Sequence, residues 1–168
     1  KKNIWLIDGT AIMYRAYFAF IRNPLINKKG ENTSAVYGFV NSLLKIVREE
    51  EPDHIAVIFD SKQPTFRHER YAEYKSTRAK MPDDLAAQIH RVHAAVAALN
   101  ITEFEMGGFE ADDIVGTLAK AAEQKGFEVW CVTGDKDYFQ LVTDNVKIYT
   151  PKRVSETPER YGRDEVKV

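Results

Sequence analysis

The sequence contains a single cysteine, Cys131, inside the apolar run Val129–Val132. A lone thiol in such a run is typical of a small buried hydrophobic side chain, and it excludes an internal disulfide and a cysteine-based zinc site. No stretch of about eighteen apolar residues occurs, so we expect no membrane-spanning helix. The apolar start Ile4–Ile7 is too short for a secretion signal. These absences favour a cytoplasmic location.

Neither sign of charge dominates the chain. It has 24 Lys and Arg against 25 Asp and Glu, so its net charge of −1 does not indicate nucleic-acid binding. Such a function must come from how the charges are distributed. The glycine-rich lysine motif of P-loop proteins is missing, and the four histidines lack the spacing of zinc proteases. Two of them, His90 and His93, are predicted to be surface residues of a helix.

Short apolar runs alternate with helical patterns along the 168 residues. Nearly continuous apolar runs indicate strands that are buried on both faces, as in a parallel sheet covered by helices. The predicted strands are Asn3–Ile7, His54–Phe59, Thr102–Glu105, Glu128–Thr133 and Val146–Tyr149. Apolar spacings of three and four predict helices at Ser34–Glu49 (capped by Thr33 or Ser34), Pro82–Leu99, Ala111–Gln124 and Asp137–Leu141. We therefore predict one α/β domain with a mostly parallel central sheet flanked by helices.

Seven carboxylates occur where predicted strands end or helices begin. They are Asp8, Asp60, Glu110, Asp112, Asp113, Asp135 and Asp137. In an open α/β sheet, ligands bind in the crevice outside the carboxyl ends of the strands. Carboxylates that meet there repel one another, and the sequence around them offers no obvious cation to neutralise them. A hard divalent cation, Mg²⁺ or Mn²⁺, is therefore the predicted partner.

Each acid alone also has a purely structural interpretation. Asp112 is a typical helix cap, and Asp8 and Asp60, each followed by a small residue, are typical of turns. The convergence of all seven favours metal binding over these alternatives. Seven carboxylates exceed what one Mg²⁺ binds, so we predict two sub-sites, the arrangement that clamps both oxygens of a phosphodiester displacement. Asp8 also resembles the nucleophile of aspartyl-phosphate phosphatases, but the second Asp of that motif is replaced by Thr10.

Positive charge is concentrated between residues 61 and 81. This stretch has six Lys or Arg against two Glu, a local net charge of +4, and three aromatic residues lie among them. The cations are Lys62, Arg67, Arg70, Lys75, Arg78 and Lys80. A solvated helix is one interpretation of the stretch. Cations interleaved with aromatics beside a metal site favour a segment that grips phosphates and stacks on bases.

Five sequence blocks, in this order and at this spacing, resemble the flap endonuclease family. They are IDGTAIMYRAYFAF, TSAVYGFVNSLL, AVIFDSKQPTFRHERYAEYKSTRAKMPDDL, GFEADDIVGTLA and TGDKDYFQLV. One branch of this family is the N-terminal 5′→3′ exonuclease domain of bacterial DNA polymerase I, which has a PIN-like α/β core. The resemblance implies Mg²⁺-dependent hydrolysis of DNA at 5′ ends, nicks and 5′ flaps during replication and repair, with Mn²⁺ able to substitute.

The resemblance also implies two groups of metal ligands. The acids of the tighter sub-site correspond to Asp8, Asp60, Glu110, Asp112 and Asp113. Those between the sub-sites, or toward the second, correspond to Asp135 and Asp137.

Further positions match the family's DNA contacts. Residues 61–82 match a basic helical arch through which the 5′ strand passes. In that arch, Lys75 and Arg78 match catalytic cations near the scissile phosphate. Arg67 and Arg70 match supporting phosphate contacts, and Tyr14 and Arg15 match DNA contacts close to the metals. The resemblance further implies a monomer that works at the bacterial nucleoid.

The chain departs from the family pattern after Tyr149. The family continues with a Gly-Asp-x-x-Asp-Asn segment, which adds acids to the second metal, and with a helix–hairpin–helix element that grips duplex DNA. Neither occurs before Val168, so we expect a fragment with an incomplete second sub-site and weak activity alone. We also expect missing residues near Arg153–Val154 and a helix start at Asp164. A PIN-type ribonuclease and a non-catalytic nucleic-acid-binding module are the alternatives.

Overall fold

A computed structural model describes residues 1–71, 73, 80–152 and 156–166. Lys75, Arg78 and the junction Arg153–Val154 lie outside the described residues. In chain order the elements are β1 (Asn3–Asp8), α1 (Gly9–Ala19), α2 (Ser34–Glu49), β2 (His54–Phe59), α3 (Phe66–Arg70), α4 (Asp83–Ala86), α5 (Ile89–Ala98), β3 (Thr102–Glu105), α6 (Ala111–Gln124), β4 (Glu128–Val132), a 3₁₀ helix (Lys136–Leu141), β5 (Val146–Thr150) and β6 (Glu159–Tyr161).

The strands form one mostly parallel sheet, which confirms the predicted α/β architecture. Their order is β3-β2-β1-β4-β5-β6, and within the described chain only β6 runs antiparallel to its neighbour. The chain moves outward from β1 to β3 and then returns to place β4 on the other side of β1. The strand order therefore reverses at β1, and ligands of open α/β sheets bind at such a point.

Both faces of the central strand are buried. Trp5 and Ile7 point to one face and join Phe39 in the core under α1, α2 and α5. Leu6 points to the other face and joins Val115 in the core under α6. Burial on both sides explains why Ile4–Ile7 in β1 are all apolar instead of alternating with polar residues.

Helix α1 begins immediately after β1, where the sequence indicated only a turn. The Asp8 carboxylate caps it by accepting the N–H of Ala11 at 2.9 Å. A Cβ at Gly9 would lie 2.7 Å from side-chain atoms of Val57 and Phe59, so only glycine allows the helix to start this close to β2. The strand end is thus joined directly to a helix start, which fixes the position of Asp8.

The predicted helix Pro82–Leu99 is interrupted and forms two helices, α4 and α5. Gln88, at the break, is buried, and its Oε1 accepts the backbone N–H groups of Ala35 at 3.0 Å and Val36 at 3.2 Å. Gln88 therefore caps α2 from a different part of the chain. The predicted cap Thr33 occupies the N-cap position but makes no side-chain capping bond.

The C-terminal part differs from the prediction. Residues 163–165 form a turn, so the helix start predicted at Asp164 is wrong. Upstream, the missed strand β6 pairs antiparallel with β5. None of the described helices has the length and apolar character needed to cross a bilayer.

Candidate functional site

Five of the seven predicted acids line one cavity at the carboxyl edge of the sheet. The cavity has a volume of about 720 Å³ and lies beside the ends of β1, β2 and β4 and the start of α6. The predicted acids that line it are Asp8, Asp60, Glu110, Asp112 and Asp135, and Glu105 lines it as well. The fold thus brings together side chains from four separate elements at the point where the strand order reverses.

Asp8 is the buried acid at the end of the central strand. Besides capping α1 through Oδ1, it accepts the hydroxyl of Tyr138 at Oδ2, at 2.8 Å. Burial raises its pKa from the ordinary 3.8 to about 6, and the charges of Asp60 and Asp112 add to the increase. Tyr138, from the 3₁₀ helix, was not predicted as a site residue, because its contact with Asp8 spans 130 residues of sequence.

Asp60 links three elements of the site. Its Oδ1 accepts the N–H of Ala111, the first residue of α6, at 2.6 Å, and its own N–H donates to the hydroxyl of Thr10 at 2.9 Å. These contacts tie the end of β2 to the starts of α1 and α6. The side chain of Asp60 nevertheless remains exposed toward the cavity.

Three acids gather at the N-terminus of α6. One carboxylate oxygen from each of Glu110, Asp112 and Asp113 lies within 4.8 Å of the others, a spacing that suits a shared cation. Glu110 is the N-cap residue, and its N–H donates to Asp113 Oδ2 at 3.1 Å. Desolvation, followed by the charges of Asp113 and Glu110, raises the pKa of Asp112.

A cation already lies against this cluster, so the expectation that none was available is wrong. Arg67 Nη1 donates to Glu110 Oε2 at 3.0 Å and to Asp113 Oδ2 at 2.7 Å, and Nη2 donates to Asp113 Oδ1 at 2.7 Å. The pKa of Arg67 rises, chiefly through its hydrogen bonds to Asp113. Arg67 was predicted to contact phosphate, but here its guanidinium is engaged by protein carboxylates.

The remaining acids lie on the other side of the α6 N-terminus. A second cavity of about 390 Å³ is lined by Asp112, Asp113 and Asp137, together with Arg67 and Lys120. Asp112 borders both cavities. Asp113 does not line the main cavity, but its carboxylate still clusters with those of Glu110 and Asp112, so the assignment of the acids to two sub-sites stays a prediction.

The wall opposite the acids is largely apolar and contains an unpredicted histidine. His93 lines the main cavity, although it was predicted to be a surface residue. Its Nδ1 lies 2.6 Å from Glu103 Oε1, and its ring centroid lies 4.4 Å from that of Phe59. His93 follows Ile89 by four residues, so its place on the inward side of α5 could have been found from helical periodicity.

Some of the predicted DNA-contact residues line the main cavity and others lie outside it. Tyr14 lines the main cavity beside Phe18, with ring centroids 6.4 Å apart. Arg15 lies near Gly134, where an added Cβ would be 3.3 Å from its Nη1. Arg70 is exposed at the end of α3. Lys62 and Lys80, from the two ends of the basic stretch, also line the main cavity and supply cations opposite the acids.

Comparisons with known proteins agree with this arrangement. A family model described as "5'-3' exonuclease, N-terminal resolvase-like domain" matches residues 3–168. DNA polymerase I of Bacillus subtilis is 43% identical over 175 residues, which cover 96% of this chain and 19% of that relative. The chain therefore spans about a fifth of the length of the polymerase.

Solved structures share the fold at low sequence identity. The T5 D15 protein co-crystallised with metal ions aligns with a TM-score of 0.69 and 20% identity, covering 97% of this chain and 58% of that one. The bacteriophage T5 D15 flap endonuclease in a complex with DNA and metal ions aligns with a TM-score of 0.65 and 19% identity, covering 96% and 58%. At these identities the likeness shows a common fold.

Proposed function

The chain belongs to the family of N-terminal resolvase-like domains of 5′-3′ exonucleases, and on that premise we propose that it is a divalent-metal-dependent, structure-selective DNA nuclease. It hydrolyses phosphodiesters at 5′ ends, nicks and 5′ flaps. The observation that carries the proposal is the convergence of five carboxylates from four elements in one cavity. We assign it to the bacterial cytoplasm, at the nucleoid, as a monomer that takes part in replication and repair.

The residues present fit a hard divalent cation. The donors are carboxylate oxygens, which Mg²⁺ and Mn²⁺ prefer, and the cluster at the start of α6 lies within the span that one ion bridges. Burial raises the pKa of Asp8 to about 6, and a cation bound beside it would favour the charged carboxylate. Asp8, Asp60, Glu110, Asp112 and Asp113 would hold the main ion, with Asp135 and Asp137 between the sub-sites or toward the second. When bound, such ions stabilise charge on the phosphate and lower the pKa of the attacking water.

The protein groups hold the substrate on the opposite side of the cavity. Lys62 and Lys80 line it and provide positive charge for phosphate oxygens. The ring of Tyr14, supported by Phe18, offers a surface on which a base can stack. The family resemblance adds Lys75 and Arg78 as cations that stabilise the scissile phosphate, with Arg15 and Arg70 as further DNA contacts.

Cleavage of a labelled 5′-flap DNA tests this function. We expect cleavage in Mg²⁺ and none in EDTA, and a loss of at least about a hundredfold in Asp112→Asn, because a ligand of the cation that stabilises the transition state is removed. Asp164→Asn, an exposed acid in the 163–165 turn, is the matched control and should cleave normally. Metal-dependent cleavage of single-stranded RNA in place of the flap would indicate the ribonuclease alternative. Flap DNA left intact in Mg²⁺ by a longer chain that contains this sequence and binds the metal would refute the nuclease.

A further inference from the structure

The guanidinium of Arg67 joins the basic stretch to the acidic site. Of the ion pairs between described residues, only those of Arg67 reach the acids at the start of α6. It binds both oxygens of Asp113 at 2.7 Å and one oxygen of Glu110 at 3.0 Å. A two-point pair of this kind fixes the orientation of the carboxylate as well as its charge.

Partial burial strengthens these bonds. The side chain of Arg67 is 30% exposed, while those of Asp113 and Glu110 are 22% and 10% exposed. Ion pairs in such surroundings are screened less by solvent and salt than pairs on the open surface. Glu110 N–H also donates to Asp113, so each of the three residues contacts the other two.

The backbone that carries Arg67 is held against the same segment. The N–H of Phe66 donates to the carbonyl of Gly108 at 3.0 Å, and the Phe66 ring packs on Phe109 with centroids 5.9 Å apart. The guanidinium of Arg67 lies over the Phe66 ring, at 4.7 Å. Arg67 is therefore already oriented toward the acids, which engage three of its five N–H donors.

We propose that Arg67 is the internal counter-ion and positioning residue of the acidic cluster. Three carboxylates lie within 4.8 Å of one another, and the guanidinium offsets part of their negative charge without removing it. Arg67 holds Glu110 and Asp113 in place while no metal is bound, and it limits the repulsion that the cation later removes. The inference rests on the proposed function only in taking Glu110 and Asp112 as metal ligands.

A double-mutant cycle in EDTA tests the positioning role without metal or DNA. We expect Arg67→Gln to lower the melting temperature by about 4 to 8 °C, since it removes three charge-assisted hydrogen bonds to two partly buried carboxylates. When Arg67→Gln is introduced into Asp113→Asn, the further decrease in melting temperature should be less than half as large. Arg67→Lys, which keeps the charge but loses the two-point pair, should lie between wild type and Arg67→Gln. Arg22→Gln, an exposed loop arginine, is the matched control.

A second arm adds saturating Mn²⁺ and follows the melting temperature again. The rise that Mn²⁺ causes should be larger in Arg67→Gln than in wild type, because the cation then supplies compensation that Arg67 no longer gives. The proposal would be overturned if Arg67→Gln and Arg22→Gln had equal melting temperatures in EDTA. It would also be overturned if the decreases in melting temperature caused by Arg67→Gln and Asp113→Asn were additive. A rise in melting temperature with Mn²⁺ that is equal or smaller in Arg67→Gln than in wild type would overturn it too. A wild-type chain that Mn²⁺ does not stabilise would instead refute the metal site, while the EDTA cycle would still decide the role of Arg67.

Discussion

Asp8 combines burial and negative charge at the end of the central strand. In the metal-free chain its folded-state pKa is about 6, whereas the ordinary value is 3.8. The folded state therefore holds the proton more tightly than the unfolded state. The stability that follows is present at low pH and is lost as the pH rises through about 6.

Asp8→Asn should remove this loss of stability, because the side chain can no longer ionise. In EDTA we expect the variant to gain stability over wild type as the pH rises from about 4 to about 7.5, by up to roughly 3 kcal/mol. Asn can still cap α1 and face the Tyr138 hydroxyl, so both contacts retain partners. Urea unfolding at both pH values measures the difference, with Asp164→Asn as control. A difference between Asp8→Asn and wild type that does not change with pH would contradict this account.

At the same scale, the acids could be predicted from sequence and their partners could not. Asp8, Asp60 and Asp135 follow apolar runs, so their place at the strand ends is visible in the pattern. Arg67 lies 43 and 46 residues from the two acids it binds, and no local pattern records that pairing. Its cationic character was evident from the sequence, but its partners depended on how α3 docks.

Among the elements, α2 shows how the backbone N–H groups at a helix start can be capped by a residue that is distant in the sequence. The buried Gln88 accepts two N–H groups at the start of α2, and its Nε2 donates to the carbonyl of Asp84 at 3.0 Å. Asp84 in turn accepts the hydroxyl of Tyr17 and the amide of Asn32, both at 2.8 Å. The segment that follows the basic stretch is thus anchored to both α1 and the start of α2.

Gln88→Leu should therefore destabilise the chain more than an ordinary polar-to-apolar change. The side chain has similar volume, but two N–H groups of α2 lose their partner in a buried environment. We expect a loss of about 2 to 4 kcal/mol in the free energy of unfolding, measured by urea titration. Gln124→Leu, at the exposed end of α6, is the control and should change stability by less than about 0.5 kcal/mol. A loss no larger than that of the control would show that Gln88 does not cap α2.

Helices and strands whose apolar residues follow one clear pattern in the sequence were predicted well. The bounds of α2 and α6 match the apolar spacing in the sequence, and strand β2 matches its apolar run. Helix α1 was missed because one side packs in the core while Tyr14 and Phe18 on another side face the cavity, so no single apolar stripe marks it. Strand β6 was missed because three largely polar residues at a sheet edge give little pattern.

For the whole molecule, the distribution of charge matters more than its total. The net charge is −1, yet five acids converge on one cavity, and Lys62 and Lys80 line the same cavity. The sequence indicated both groups but not the strand order that joins them. Only the reversal at β1 places Asp8, Asp60 and Asp135 side by side, because β1 lies between β2 and β4. That order depends on long-range pairing and helix packing, which local patterns do not contain.

Calorimetric titration of the metal-free chain with Mg²⁺ and with Mn²⁺ tests the central claim most directly. It addresses the converged acids themselves and does not depend on catalysis. We expect saturable binding of both ions, weakened by about tenfold or more in Asp112→Asn and unchanged in Asp164→Asn. Absence of saturable binding, or equal affinity in wild type and Asp112→Asn, would contradict the assignment of this cavity as a metal site.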